Sequence, residues 1–263
     1  MNLSNSVSIV TVCLNSERTI GKTFSSVGFQ DYPNIEYIVV DGASTDSTVD
    51  LIKKCSAVTK WVSEPDNGIS DAFNKGIALS SCEWIGIINA DDWYEIDAVK
   101  SAMMHANDAD IIHGPVRYWK SETPIGVYYP NQARLCWEMS INHPSVFVRR
   151  SVYEALGGFD PAYRYAMDYE FLLRALAAGY RFCAVSDVIL ANMSTGGVSD
   201  LCWKKSILEV MRAKDKHFPS FFRNRFYFLI QLVRGYVRRF FEFLGLDDFV
   251  RFFRNYFSVM RKL

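Results

Sequence analysis

The first hundred residues alternate two hydrophobic periods: short runs that are apolar at nearly every position, and longer stretches in which apolar residues recur every three or four. The first kind predicts buried strands over 7–13, 35–40, 60–63 and 84–88, and the second predicts helices over 17–29, 47–55 and 69–79. Strands and helices in alternation indicate βαβ units, and hence a parallel sheet with helices on its faces. Every strand runs into a polar loop. These are Asn15-Ser16, then Asp41-Gly42-Ala43-Ser44-Thr45-Asp46, then Glu64-Pro65-Asp66-Asn67-Gly68, then Asn89-Ala90-Asp91-Asp92-Trp93. In an open parallel sheet such carboxyl ends share one edge, and ligands bind there.

Beyond residue 108 the pattern is less regular. It predicts short strands at 110–113, 116–119, 125–129, 146–148, 181–185 and 188–192, and a helix over 167–178 that stops at Gly179. The composition then changes at residue 218. The last 46 residues carry nine basic side chains against three acidic ones, together with 12 Phe. Because the whole chain balances 29 Lys and Arg against 29 Asp and Glu, a body six charges negative must be joined to a tail six charges positive. The expected organisation is therefore a folded body over 1–217, with a change of pattern near 107/108, and a basic aromatic tail over 218–263. Gly245 and Asp247 split the tail into two expected helices that mix Phe with Arg, a combination suited to an anionic membrane surface. Packing of that amphipathic pair on the folded body or on a second subunit is the alternative.

Several function classes lose their support. Zero net charge argues against a generally basic nucleic-acid binder. The six cysteines show no CxxC or metal-finger spacing and read as thiols of a reducing compartment. No signal-peptide pattern opens the chain, and no apolar run approaches the roughly 20 residues that span a bilayer. The expectation is a cytoplasmic protein that touches the inner face of a membrane without crossing it. A GxGxxG after the first strand, a GxxxxGKS and a GxSxG are all missing, and the four His residues lack metal-ligand spacing, which removes dehydrogenase, P-loop, hydrolase and zinc-enzyme readings.

The strand-end carboxylates remain. Asp41, Asp66 and the pair Asp91-Asp92 bring oxygen donors toward one cleft without His or Cys, which suits a hard cation such as Mg2+ or Mn2+. Helix capping and turn formation are the structural alternative, strongest for Asp46. Two adjacent carboxylates beside the buried run WIGII repel each other unless a cation lies between them.

The ordered segments SIVTVCLNSERTI, IVVDGASTDST, SEPDNGISDAFNKGI, WIGIINADDWY, AMDYEFLLR and STGGVS resemble the family 2 glycosyltransferases over about residues 7–200. Within that family the likeness is to bacterial enzymes that build O-antigen, capsule or exopolysaccharide. The resemblance implies the nucleotide-sugar-binding A-type fold (GT-A), a Rossmann-like αβα sandwich with a mostly parallel central sheet, to which this chain adds a helical tail. It makes the body over 1–217 the catalytic domain, with a donor half before 107/108 and an acceptor half after it. It also implies inverting transfer of a hexose or N-acetylhexosamine from a UDP-sugar to a glycan, with an acceptor linked to undecaprenyl diphosphate.

By the same resemblance Thr11, Asn15 and Glu17 stand where the family holds nucleobase and ribose, and Asp41 stands at the uracil or ribose end. Asp66 and the Asn74-Lys75-Gly76 segment line the donor site. Asn89-Ala90-Asp91 stands for the DxD motif, with Asp91 the metal ligand, Asp92 its neighbour and Asn89 in place of the first aspartate. Asp168 matches the catalytic base. Met167 replaces the Glu that usually precedes it, although Glu170 is close in sequence. His143 falls near the acceptor or diphosphate, and Gly196-Gly197 falls on a loop that would close over substrate. Trp93, Tyr94 and Trp137 offer sugar-stacking faces or simple core packing. Two other readings stay open: transfer to polyprenyl phosphate itself, and a nucleotide-sugar-binding scaffold without catalysis.

Overall fold

The computed structural model describes residues 5–197 and 201–246. The second expected tail helix, beyond residue 247, lies outside them. In the first half the strands β1 (Val7–Cys13), β2 (Ile35–Asp41), β3 (Lys60–Ser63) and β4 (Trp84–Asn89) fall where the apolar runs place them. The helices α1 (Ile20–Gly28), α2 (Thr48–Lys54) and α3 (Ile69–Leu79) alternate with them. Helix α1 starts later than its apolar period suggests, because the Ser16 carbonyl accepts the N–H groups of Thr19 and Ile20 and turns the chain first.

The second half follows as β5 (Trp93–Tyr94), α4 (Ala98–Met103), β6 (Ile111–His113), β7 (Val116–Lys120), β8 (Thr123–Tyr128), β9 (Phe147–Arg149), α5 (Arg150–Leu156) and α6 (Met167–Ala177). The elements β10 (Phe182–Ala184), β11 (Ala191–Ser194), α7 (Trp203–His217) and α8 (Phe221–Phe243) complete it. Gly179, at φ +82°, provides the left-handed turn after α6. Four of these elements, β5, α4, α5 and α7, were not anticipated from periodicity. Three are too short to show a period, and α7 is highly charged. The strand expected at 188–192 begins only at Ala191, since Leu190 first donates its N–H to the Pro115 carbonyl.

The main sheet has the order β10-β6-β9-β4-β1-β2-β3. All its pairings are parallel except those of β9, which runs antiparallel between β4 and β6. The expected αβα sandwich with a mostly parallel sheet is thus the observed one. A second sheet, β5-β11-β7-β8, was not foreseen. Its strands β7 and β8 form a hairpin, and β11 pairs parallel to β7.

Side chains of β1 alternate between two cores, because successive residues of a strand point to opposite faces. Val7 and Ile9 join Ile20, Phe24, Ile52 and Val99 on one face of the sheet. Val10 and Val12 join Phe73, Val152, Phe171 and Leu172 on the other. Helix α3 lies close against β1 because Gly76 has no side chain. A Cβ there would sit 2.2 Å from Cγ1 of Val10, itself fully buried. Gly76→Ala should therefore destabilise the fold by about 1–3 kcal/mol, the usual range for overpacking, although alanine is the better helix former. Urea unfolding would show the loss; an unchanged or raised midpoint would contradict the close approach.

Candidate active site

The parallel register aligns Cys13 with Asp41, Asp41 with Ser63 and Val12 with Asn89. The loops after β1, β2, β3 and β4 therefore leave one edge of the sheet side by side. The first two are laced together. Asn15, itself at φ +50°, accepts the Thr45 N–H on its amide oxygen (2.9 Å), and Glu17 accepts the Ser47 N–H (3.0 Å). In return the Asp46 carboxylate accepts the N–H groups of Glu17 (3.1 Å) and Thr48 (3.0 Å). Asp46 so serves as a brace just before α2; the N-cap position itself belongs to Ser47, so Asp46 fills the turn rather than the cap.

Asp41 is fully buried at the end of β2. Its carboxylate accepts the Ser44 N–H (2.9 Å), the Ser44 hydroxyl and the Ser63 hydroxyl (2.7 Å). Asp66 lies against Gly42, where a Cβ would meet its Oδ2 at 2.8 Å, and forms a 2.7 Å ion pair with Lys75 of α3. Lys75 also reaches Glu64 (3.0 Å) and Asp71 (3.6 Å). Hydrogen bonding to Asp66 heads the causes that hold its ammonium well above the ordinary lysine range. Asp41, Asp66 and Lys75 thus stand together at the strand ends. Thr11 does not join them with its side chain: it is fully buried, and its hydroxyl pairs with that of Tyr37 at 3.0 Å within the sheet.

The loop after β4 carries two carboxylates, and among the described residues no basic side chain pairs with them. Burial raises the Asp91 carboxyl above its ordinary value. Asp92, only 2% exposed, is raised further, by burial first and then by Asp91. The backbone around them is pinned. Ser194 donates its N–H to Asp92 Oδ1 (3.0 Å) and its hydroxyl to the Asp91 carbonyl (2.8 Å), while Thr23 donates to the Asp92 carbonyl (2.7 Å). Ser194 and Thr23 carried no signal of this role in the sequence, although Ser194 belongs to the quoted STGGVS segment. The amide oxygen of Asn89 is buried without a hydrogen-bond partner. Among the described residues no three His, Cys, Asp or Glu side chains cluster as a metal site.

Asp168 stands in the first turn of α6, where its Oδ1 accepts the Tyr169 N–H at 2.8 Å. The N-cap position belongs to Ala166, so Asp168 is not the capping aspartate. Burial, with a smaller contribution from Glu209, raises its carboxyl to about 6. Glu170 does not complete an acidic pair with it. Glu170 is fully buried against Arg174 (3.0 Å), Lys216 (3.5 Å) and His217 (2.8 Å), because two residues along a helix turn a side chain to another face.

The remaining candidates are placed as follows. His143 lies in a single 3-10 turn that packs on β4, its ring stacked on Phe73 at 4.9 Å, and burial lowers it to about 4, so it is a neutral imidazole. Gly196, at φ +95°, and Gly197 follow β11 directly, next to Ser194; residues 198–200 lie outside the described ones. Of the three aromatic candidates Tyr94 is core, stacked on Phe147. The Trp93 ring is covered by the Lys22 ammonium at 3.1 Å. Trp137 packs edge-on against Tyr227 of α8.

Comparison with known proteins locates this arrangement. The family model for glycosyl transferase family 2 matches residues 8–157. A PGL/p-HBAD biosynthesis glycosyltransferase of Mycobacterium bovis is 26% identical over 211 residues, which cover 77% of this chain and 82% of the relative. An uncharacterized glycosyltransferase of Mycobacterium tuberculosis is 29% identical over 187 residues, 66% of this chain and 70% of its own. Among solved structures, S. aureus TarS in complex with UDP superposes with a TM-score of 0.66 at 16% identity, over 88% of this chain and 72% of that one. The mannosyltransferase PcManGT from Pyrobaculum calidifontis, in complex with GDP-Man and Mn2+, gives 0.62 at 22% identity, over 80% and 63%. The fold is accordingly GT-A.

The raised carboxyl of Asp168 has a consequence for stability. Its folded value of about 6 exceeds the ordinary 3.8, so the folded state favours the protonated acid and loses stability as pH rises through that window. Asp168→Asn, which cannot ionise, should be more stable than wild type above pH 6, by at most about 3 kcal/mol at 1.36 kcal/mol per unit. Below pH 4 the two should unfold alike. Thermal denaturation at pH 4 and pH 8 measures this, and equal stability at pH 8 would refute it.

Proposed function

Because the chain belongs to glycosyl transferase family 2, we propose that it transfers a hexose or N-acetylhexosamine from a UDP-sugar to a lipid-linked glycan, with inversion at the anomeric carbon. The observation that carries this reading is the pairing of two environments. The loops after β1 to β4 gather polar groups at one sheet edge, and Asp168, a carboxyl raised by burial, supplies a base. The donor half would hold the nucleotide through Asn15, Glu17, Asp41, Asp66 and Lys75. UDP in TarS and GDP-Man in PcManGT, both bound by proteins of this fold, support a nucleotide-sugar donor.

The β4 loop fits a hard divalent cation by its donor chemistry. Asp91 and Asp92 resist ionising where they stand, and Asn89 offers an unpartnered oxygen. Asp91 with Asn89 would hold Mn2+ or Mg2+, and Asp92, tied to Ser194, would fix the loop. When bound, such a cation neutralises the charge that grows on the departing diphosphate. Asp168 would accept the proton that the incoming hydroxyl loses as it attacks, and Gly196-Gly197 would cover the site. A base near pH 6 is ionised at neutral pH yet basic enough to take that proton. On this reading residues 1–217 form the catalytic unit and residues 218–263 attach it to the inner face of the cytoplasmic membrane.

The face of α8 supports the attachment. Phe222, Phe226, Leu229, Val233, Tyr236, Phe240 and Phe243 recur in steps of four and three and are each 55–87% exposed. They form one apolar stripe about 32 Å long, at 1.5 Å per residue, whose Tyr236 also meets Trp203 of α7 edge-on at 5.2 Å. No helix among the described residues is long and apolar enough to cross a membrane. An amphipathic helix rich in Phe with arginines at its margins lies in the lipid interface instead.

Three outcomes test the reading. Nucleoside diphosphate release from a panel of UDP-, GDP- and dTDP-sugars, with a synthetic lipid-diphosphate sugar as acceptor, should single out a UDP-sugar. Asp168→Asn should keep Mn2+-dependent UDP binding and lose transfer by a factor of about 10²–10⁴, the usual worth of a general base, and Asp91→Ala should lose both. The wild-type rate should fall below about pH 6 as Asp168 protonates. A mild effect of Asp168→Asn would point instead to a phosphate acceptor, which needs no proton removed, and absence of turnover with intact UDP binding would point to a scaffold. Full-length protein should sediment with anionic vesicles at low salt, and the Phe226→Asp, Phe240→Asp variant should not. Failure of wild type to sediment would remove the membrane from the proposal.

A further inference from the structure

Helix α7 lies outside the residues matched by the family model, yet it reaches the turn that carries Asp168. Glu209, in the middle of α7, is buried. Its Oε1 accepts the N–H of Arg164 (3.1 Å), and its Oε2 accepts those of Tyr165 (2.7 Å) and Ala166 (3.0 Å). These are the last three backbone donors before α6 begins at Met167. A helix N-terminus leaves its first N–H groups, here those from Ala166 onward, without partners inside the helix, and a side-chain acceptor from the same segment usually meets one of them. Ala166, at the N-cap position, has no side-chain acceptor to offer. Asp168 meets the Tyr169 N–H, and a carboxylate from another helix meets the Ala166 N–H together with the two that precede it.

We propose that Glu209 is a positioning residue for Asp168: by gathering the N–H groups of residues 164–166 it fixes the turn from which α6 starts, and so the place and surroundings of the Asp168 carboxyl. The inference rests on the reading of Asp168 as the base.

Two further observations support it. The ends of α6 and α7 are independently bolted together, since Glu170 holds Arg174, Lys216 and His217. Glu209 is therefore not needed merely to keep the helices in contact. Among the described residues it is also a charged group that raises the Asp168 carboxyl, by less than burial does. The cations nearby face elsewhere. Lys205 lies over the Tyr165 ring at 5.9 Å, and Arg212 and Lys216 lie over Tyr163 at 5.3 and 5.8 Å. On the opposite side Tyr169 donates its hydroxyl to the Leu135 carbonyl (2.7 Å), and Glu138 beyond it is paired with Arg134 and Arg234.

The test compares wild type, Glu209→Gln and Glu209→Asp, each full length and free of substrate. Aspartate carboxyl carbons are labelled with 13C and titrated by NMR, the Asp168 signal being the one absent from Asp168→Asn. The wild-type signal should titrate near 6. In Glu209→Gln, which keeps an oxygen but loses the charge, it should titrate at lower pH, and the Tyr165 and Ala166 amides should exchange faster. Glu209→Asp keeps the charge and should restore most of the shift, but its shorter side chain cannot reach all three N–H groups, so amide exchange should stay faster and turnover lower than in wild type. With the sugar donor and acceptor identified above, the acid limb of the rate should move to lower pH in Glu209→Gln. The turnover should drop about 10- to 100-fold through misplacement of the base, with little change in the donor KM.

A purely structural Glu209 would leave the Asp168 titration unmoved, and that result in Glu209→Gln overturns the proposal. Should that variant not fold, Glu209→Asp decides: a wild-type turnover and amide exchange there overturn it as well. Retention of transfer by Asp168→Asn is a separate outcome that defeats the assignment of the base, whatever Glu209 does to its titration.

Discussion

A carboxylate buried without a cation beside it is the constraint on which this site depends. Most acidic groups placed inside this protein are compensated. Glu36 is held low by Lys60, Ser8 and Ser81, Glu170 has three basic partners, and Asp66 has Lys75. Asp91, Asp92 and Asp168 are different, for burial raises all three, and the acidic neighbours Asp91 and Glu209 raise Asp92 and Asp168 further. Groups held away from their preferred charge state reduce stability, and a fold retains them where their chemistry is used. On the proposed reading the same imbalance would have opposite uses at the two places: the pair on the β4 loop would receive a positive charge, and Asp168 at the start of α6 a proton.

Such groups must also be prevented from relaxing, and the structure does this with backbone contacts from distant elements. The Asp91-Asp92 turn is held by Ser194 of the second sheet and Thr23 of α1. The Asp168 turn is held by Glu209 of α7. Helix α7 is in turn sandwiched between α6 and α8, where the Lys214 ammonium, lowered to about 8 by burial and by Arg223, donates to the Trp137 carbonyl (2.9 Å) and lies 4.3 Å from the Tyr227 ring centre. The helices that follow the second sheet are thus continuous with the packing behind the base.

How much of this was legible in the sequence depends on how local each feature is. The strands β1 to β4 and their loops are written in consecutive residues, so their periods and the carboxylates at their ends could be read directly. Asp168 was found through its motif, and the apolar residues around it foretold the direction of its shift. What escaped was set by partners far along the chain. Ser194 meets Asp92 across 102 positions and Glu209 meets Tyr165 across 44, and neither residue type in its own neighbourhood announces such a contact. For Trp137 the sequence left stacking on a sugar and packing both open, and its contact with Tyr227, 90 residues on, could not be read from its neighbourhood.

The tail shows how composition can be right about a segment and incomplete about its means. Counting charges makes it a basic surface. In the structure the arginines of α8 are largely engaged: Arg225 with Asp215, Arg234 with Glu138, and Arg238 and Arg239 with Glu242. Exposed ion pairs of this kind contribute little to stability, but each one reduces the charge left for a distant anionic surface. What α8 presents outward is instead the row from Phe222 to Phe243, spaced to lie along one side of the helix. Attraction to lipid through this helix would therefore come mainly from burial of aromatic area, with the arginines at the margins setting depth and orientation. Because α8 packs on α7, and α7 carries Glu209, a surface that takes up that row would bear on the same helix that holds the turn before Asp168.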